Sequence, residues 1–471
     1  MIFRNQKKTA TSEGSGMKPV LVSMMMVMTF LGDPFDASGQ NQYTLKQCKK
    51  MALENNVQVR NSNLELLASE QVKKAAFTNY FPKISATAMS FRFNEPLFNL
   101  DVEGGQLPIL ATDGTTPPAP VPGQFAYFPG LSLSMLDKGN IAAVTAIQPI
   151  FTGGRILNGN SLARVGVDVN AGRLILSRHD ALQKTEEKYW LVVSLNEKKQ
   201  TLAVVAELLD SLHKEASDAW QAGLINRNDV LKVALKQSEV KSAKLKLNNG
   251  IRLASMALCQ YIGMPYDSSM ILVDTLADFR EPAAVYVNGD EAVQNREEYN
   301  LLQQSLKAER LKTRMKVGEY LPQAGVGVGA LYYNIPDEGA TNSMIFGTIN
   351  IPISDWWGAA HTIKERKYQE EIALNNSEDQ TELMMLQIRK NWNELNEARQ
   401  QIDIAVETIS QAEENLKINR DNYKAGIINI SDMLEAQVLL QQAKNMLTDA
   451  RVYYRIRLNA YLQATGRYET E

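Results

Sequence analysis

The chain has 471 residues, enough for two or three domains, and its formal net charge of −3 argues against a nucleic-acid partner or a polybasic membrane-surface role. Its two cysteines, Cys48 and Cys259, lie far apart and outside any CxxC or Cys/His cluster, so the sequence predicts neither a disulfide framework nor a zinc site. We expect no cofactor, no metal and no enzyme activity, because no nucleophile–base pair or phosphate-binding loop is recognisable.

The first 39 residues are interpreted as a signal peptide with an upstream segment. Lys18 precedes an apolar run that ends at Leu31, and small and polar residues follow. This pattern is typical of a secretory signal, and the run is too short for a transmembrane helix. We expect cleavage between Asp36 and Gln42 and no lipid anchor, because no cysteine follows the run at a lipobox position.

The rest of the chain is a tandem repeat. Residues 40–265 form the first predicted repeat, residues 290–471 the second, and residues 266–289 connect them. Pro82 aligns with Pro322 in the early part of the repeats, and Pro149 aligns with Pro352 in the later part. The spacing differs because the first repeat carries an insertion of about 37 residues, which we expect to be a loop.

Each repeat begins with a short helical segment and two strands. A capping-box pattern at Thr44 marks the start of the first helix. The hydrophobic period then switches to two, which predicts strands at about 83–95 and 140–151, and at about 323–334 and 343–353. In the first of these strands we assign Met89, Phe91 and Phe93 to the apolar face. Strands of this length with one apolar face are typical of outer-membrane barrels, and a soluble hairpin is the alternative.

A proline-rich stretch at 113–123, inside the insertion, is predicted to be an external loop. After the strands, each repeat reads as a long helical hairpin, at about 155–263 and about 358–466, with turns at 223–229 and 426–432. Gly223 and Gly426 provide the left-handed conformation that ends a helix. Alternating large and alanine positions favour close packing of the arms in coiled-coil geometry.

Four membrane strands in one chain cannot close a barrel, and open edges would leave backbone groups unsatisfied in hydrocarbon. The sequence therefore predicts oligomerisation, and two or three copies are the natural counts. Such an assembly would be a pore with a long tunnel.

These features together resemble the TolC family of outer-membrane efflux proteins of Gram-negative bacteria, along almost all of the mature chain. The resemblance is carried by the helix ends at Pro82 and Pro322, by the strand-to-helix segments around Pro149 and Pro352, and by the duplicated Ala-Gly-x-x-x-x-x-Asp turn. It implies a mixed α+β membrane protein, mostly helical: a homotrimer with a twelve-stranded β-barrel in the outer membrane on a twelve-helix α-barrel that crosses the periplasm.

The same resemblance implies an efflux channel-tunnel for drugs and other small toxic molecules. Its partners would be outer-membrane lipid, a periplasmic adaptor (membrane fusion) protein and an inner-membrane pump of the RND, ABC or MFS type. Type I protein secretion and metal efflux are alternatives. A periplasmic adaptor or a coiled-coil spacer is the rival of another class. The adaptor would show a single hairpin within a lipoyl-like domain, and the spacer would show charges on both strand faces.

The resemblance also assigns roles at the periplasmic tip. Asp432 and Glu435 match the acidic residues that narrow the aperture, and Asp229 and Tyr423 match contacts between hairpins in the closed state. Asp432 and Glu435 are three residues apart and share a helix face. Helix capping by Asn429, Ser431 and Asp432 is the alternative explanation.

One departure from the family pattern and one further site complete the assignments. Ile428 stands where the family often has a basic residue, and Arg227, Lys232 or Lys424 are the candidates to replace it. Trp356 and Trp357, where a strand leaves the membrane, are predicted to be interfacial aromatics.

Overall fold

The computed structural model describes residues 41–111, 119–135, 138–276, 280–334 and 339–467. The predicted signal peptide lies outside the described residues. The segment predicted to be the first repeat contains, in chain order, β1 (Gln42–Tyr43), α1 (Leu45–Asn55), α2 (Val57–Phe77), β2 (Lys83–Arg92), β3 (Phe98–Val102), β4 (Gly105–Ala111), β5 (Ala119–Phe128), β6 (Leu131–Met135), β7 (Lys138–Phe151), α3 (Arg155–Gln221) and α4 (Arg227–Tyr261).

The connecting segment holds β8 (Ile271–Leu272) and a 3-10 turn at Pro282–Val285. The segment predicted to be the second repeat contains α5 (Gly289–Gln294), α6 (Glu297–Glu319), β9 (Gln323–Asn334), β10 (Gly339–Asn350), α7 (Trp356–Lys424) and α8 (Ile430–Ala464). The 69 residues of α7 reach about 100 Å at 1.5 Å per residue. None of the helices in the described ranges is both long enough and apolar enough to cross a bilayer.

The helices attached to the central sheet lie side by side in the same order as its strands. The central sheet is four-stranded and antiparallel in the order β10-β9-β7-β2. The helices attached to these strands contact one another in the matching order α7-α6-α3-α2. The upper part of the chain is therefore a wall one layer thick, with a helix continuing each strand.

The ladder register sorts the side chains of this sheet onto two faces, because facing residues share a face and neighbours along a strand alternate. One face, the apolar face, carries Ile84 and Ala86 of β2, Val144 and Ala146 of β7, Val326 and Val328 of β9, and Ile345 and Ile349 of β10. The other, the mixed face, carries Lys83, Ser85, Thr145, Gly325, Gly327 and Thr348.

The assignment of Met89 and Phe91 to the apolar face is wrong. Both pair with β7 residues of the mixed face, Met89 with Ile141 and Phe91 with Gly139. Ile84, Ala86 and Ala88 take the apolar side instead. Alternation along one strand defines two faces, but only the register with its neighbours shows which of them continues the apolar surface.

The insertion is a β-ribbon and not a plain loop. Beyond β2 and β7 the chain continues as the antiparallel pairs β3–β6 and β4–β5. The loop predicted at 113–123 is therefore wrong from Ala119 onward, and residues 112–118 lie outside the described residues. Pro120 faces Leu110 next to a register shift. A two-stranded ribbon tolerates prolines because each of its strands has a free edge.

The opening helix of each repeat is broken in two. In the first repeat, Thr44 forms the capping box with Gln47, as the sequence predicts. Asn56 then interrupts the helix and caps α2, its Oδ1 accepting a hydrogen bond of 2.9 Å from the backbone N–H of Gln58. Arg296 occupies the corresponding break between α5 and α6.

A belt halfway along the helices joins the two repeats. The carboxylate of Glu186 on α3 forms an ion pair with Lys49 Nζ of α1 at 2.7 Å. It also accepts a hydrogen bond of 3.0 Å from Asn459 Nδ2 of α8. Trp190 is buried beside it, with the guanidinium of Arg455 over its ring at 4.8 Å. These contacts fix the first hairpin against the second, so the tips of the two hairpins emerge side by side.

Candidate gate at the helical tips

The tips of both hairpins are built in the same way. Gly223 and Gly426 have φ angles of 74° and 70°. One residue later, Leu224 N–H donates to Ala219 O and Ile427 N–H to Asn422 O, each at 2.9 Å. This is the Schellman arrangement, which satisfies the last carbonyls of a helix and reverses the chain.

Apolar contacts hold the two tips together. Val233 of α4 and Ile430 and Met433 of α8 are buried in one cluster with four leucine and valine side chains of α3, Leu202, Val205, Leu209 and Leu212. Tyr423 of α7 and Leu434 pack against its margin. A hydrophobic core thus sets the position of the acidic residues Asp432 and Glu435 relative to the first hairpin.

Asn429 caps the return helix. Its Oδ1 accepts hydrogen bonds from the backbone N–H of Ser431 at 2.7 Å and of Asp432 at 3.3 Å. The equivalent residue of the first repeat, Asn226, precedes α4 without such a bond. Capping therefore uses the amide of Asp432 and leaves its carboxylate outside the cap.

The carboxylates of Asp432 and Glu435 lie near the start of α8. Asp432 is partly exposed and Glu435 is exposed. Within the part of the chain that the structure describes, neither forms an ion pair. The partial positive charge of the helix N-terminus favours a carboxylate in this first turn. The site thus presents two carboxylates on one helix face.

Tyr423 of the second hairpin lies within electrostatic range of Asp229 of the first hairpin. Burial raises the pKa of the Tyr423 phenol, and the carboxylates of Asp229 and Glu215 raise this pKa further. The phenol is therefore protonated at neutral pH and available as a donor. Glu215 was not identified from the sequence; its position two turns before Gly223 on α3 was the available signal.

The three candidate cations differ in their surroundings. Lys232 Nζ lies 3.3 Å from Asp229 Oδ1, one turn away on the same helix. Arg227 stacks over the Trp220 ring at 5.9 Å. Lys424 is exposed at the end of α7. Of the three, Lys232 is the one whose ammonium contacts Asp229.

Aromatic side chains mark the boundary between strands and helices. Trp356 Nε1 donates to Tyr320 O at 2.7 Å and leaves the indole 46 % exposed, whereas Trp357 is 83 % exposed. Pro82 and Pro322 immediately precede β2 and β9, and Pro352 follows β10. The fourth boundary proline, Pro149, lies inside β7 at a register shift before Phe151.

The chain was compared with known protein families and with curated proteins. Residues 290–467 match the family described as outer membrane efflux protein. A comparison with curated proteins finds no match.

Solved structures match over most of the chain. The CmeC outer membrane channel of Campylobacter jejuni is similar with a TM-score of 0.70 at 14 % identity, over 90 % of this chain and 85 % of that one. VceC of Vibrio cholerae gives 0.69 at 13 %, over 90 % and 96 %. The open state of the MtrE outer membrane channel of Neisseria gonorrhoeae gives 0.68 at 13 %, over 90 % and 88 %. At these identities the likeness shows a shared fold.

Proposed function

We propose that this chain, whose residues 290–467 form an outer membrane efflux protein domain and whose described length has the fold of outer membrane channels, is an outer-membrane efflux channel-tunnel. Three copies would form a β-barrel continuous with a helical barrel in the periplasm. The channel exports small molecules together with a periplasmic adaptor and an inner-membrane pump. The pump supplies the energy, because a passive tunnel has none of its own.

The single observation that carries this proposal is the one-layer wall with matching free edges. Its first edge is β2 continued by α2, and its second is β10 continued by α7. Both helical edges expose apolar side chains: Val57, Leu64 and Val72 on α2, and Tyr368, Ile372 and Leu383 on α7. A strand edge in hydrocarbon needs a partner strand, and a second copy of the same wall offers one.

The two sheet faces fit this position in a membrane. On the apolar face, Ile345 is 85 % exposed, as a residue in contact with lipid would be in a single chain. On the mixed face, Ser85 Oγ and Thr145 Oγ1 are hydrogen-bonded at 2.8 Å. An apolar outer face and an inner face that carries polar side chains are typical of a water-filled barrel. A soluble spacer would gain nothing from such an apolar sheet, which counts against that alternative.

We further propose that Asp432 and Glu435 form the acidic gate. Three copies of this carboxylate pair around a narrow axis would attract cations and bind multivalent ones. Tyr423 would hold the second hairpin against the first through Asp229, with Lys232 as the cation at that contact. Opening would separate these hairpins.

The oligomeric state tests the proposal directly. Native mass spectrometry of the detergent-solubilised mature protein should give a trimer that loses whole subunits on activation. A monomer that retains its secondary structure would contradict the proposal, because it would leave the edges β2 and β10 without partners.

A further inference from the structure

A basic groove lies between α2 and α3, directly below the strands. It encloses about 490 Å³, and its lining includes Lys73, Lys74, Phe77, Tyr80, Leu157 and Arg164. Asn160 closes the floor by donating from Nδ2 to the backbone carbonyl of Ala76 at 3.1 Å, which ties the two helices together. The groove is therefore a feature of the rigid wall.

The groove is positively charged. Lys73, Lys74 and Arg164 are exposed, and no carboxylate lines the groove. Glu70 and Asp168, one turn away on the same helices, stay outside the lining. Among the described residues, none of the three cations is in an ion pair. Three exposed cations in one groove, beside the apolar side chains of Phe77 and Leu157, favour an anionic ligand with an apolar part.

The groove opens on the side of the wall that carries the apolar face. A separate cavity of about 1020 Å³ occupies the opposite side of the same helix pair, and residues of the mixed face, Lys83 and Gln323 among them, line that cavity. The basic groove thus lies on the other side, continuous with the lipid-facing surface. Phe77 is 55 % exposed and Leu157 is 64 % exposed at its margin.

We propose that this groove binds the phosphate headgroup of an anionic phospholipid from the membrane leaflet next to the helices. Lys73, Lys74 and Arg164 contact the phosphate, and the acyl chains run upward along the apolar face of β2 and β7. Phe77 and Tyr80, whose ring centroids are 5.5 Å apart, lie at the headgroup level where aromatic side chains accumulate. The inference rests on the proposed outer-membrane position of the sheet.

Competitive lipid retention tests the site. The full mature protein is reconstituted into nanodiscs of equal parts phosphatidylcholine and phosphatidylglycerol, re-extracted in detergent, and its co-purifying lipids are quantified by mass spectrometry. We expect the wild type to retain phosphatidylglycerol about tenfold over phosphatidylcholine, given the attraction of several basic residues for an anionic lipid. The combined change Lys73→Gln, Lys74→Gln and Arg164→Gln should abolish this preference.

A matched control removes the same charge from exposed positions of α4, by Lys241→Gln, Lys244→Gln and Lys246→Gln. It should retain phosphatidylglycerol like the wild type. Equal retention of both lipids by the wild type, or an unchanged preference in the groove variant, would overturn the proposal. Binding of inorganic phosphate at the groove by a wild type that shows no preference for phosphatidylglycerol would overturn the lipid assignment in favour of a free-anion site.

Conductance of the same preparation in planar bilayers separates this inference from the proposed function. Conducting wild-type channels without a lipid preference would overturn the lipid site alone. A lipid preference in a protein that never conducts would overturn the channel and leave the lipid site supported.

Discussion

Among single residues, helix capping and gating at the tip of the second hairpin belong to different side chains, although the sequence alone does not separate the two roles. Asn429 supplies the helix cap through its side-chain oxygen, and the carboxylates of Asp432 and Glu435 lie outside that cap. Capping and gating therefore do not compete for the same atoms. Substitutions can address them independently.

We expect Asp432→Ala combined with Glu435→Ala to abolish block by multivalent cations and to widen the resting aperture, because both charge and side-chain volume leave the axis. Single-channel conductance with a trivalent cation measures both effects. The isosteric control, Asp432→Asn with Glu435→Gln, should lose the block and keep the aperture. Unchanged block in both variants would reject the gate assignment.

The cap predicts an asymmetry between the repeats. Asn429→Ala should destabilise the first turn of α8 by about 1 kcal/mol, seen as roughly fivefold faster amide exchange at Ser431 and Asp432. The aligned change Asn226→Ala should have a smaller effect, because Asn226 makes no cap bond. Unchanged exchange at Ser431 and Asp432, or equal acceleration at the two turns, would contradict this asymmetry.

At the scale of elements, the sheet depends on a glycine row opposite an aromatic ring. A Cβ atom at Gly327 would lie 2.5 Å from Cζ of Phe346, whereas a Cβ atom at Gly347 would meet nothing within 4 Å. Gly327 and Phe346 face each other on the mixed side of β9 and β10. The glycines therefore make room for a large side chain on a small-residue strand.

Gly327→Ala should cost about 1–3 kcal/mol through overpacking against Phe346. We expect a lower thermal dissociation temperature of the oligomer, followed by heated gel mobility. Gly347→Ala is the matched control and should leave it unchanged. The double variant Gly327→Ala with Phe346→Ala should recover part of the loss, and no recovery would mean that the ring is not the obstacle.

At the scale of the whole molecule, the elements with repeated signals were predictable. The glycine turns, the strand pair between Pro322 and Pro352, and the long helical arms each have a counterpart in the other half of the sequence. The β-ribbon of the insertion has none, so Pro120 and Pro122 suggested a loop. The side of Met89 and Phe91 depends on register between distant strands, which alternation within one strand does not contain.

The apposition of Tyr423 and Asp229 likewise depends on packing. Their positions in the sequence show only that each residue lies near a hairpin turn. The buried cluster of Val233, Ile430 and Met433 brings the turns together. Local patterns therefore predict the tips, and the contact between them follows from the three-dimensional structure.

A tunnel with an acidic periplasmic mouth should be blocked by multivalent cations from one end. The most direct measurement is single-channel conductance of the purified mature protein in a planar bilayer, with a trivalent cation added to each side in turn. We expect stable channels that are blocked from one side only, because the carboxylates lie at one end. Well-folded oligomers that give no channels, or channels blocked equally from both sides, would contradict it.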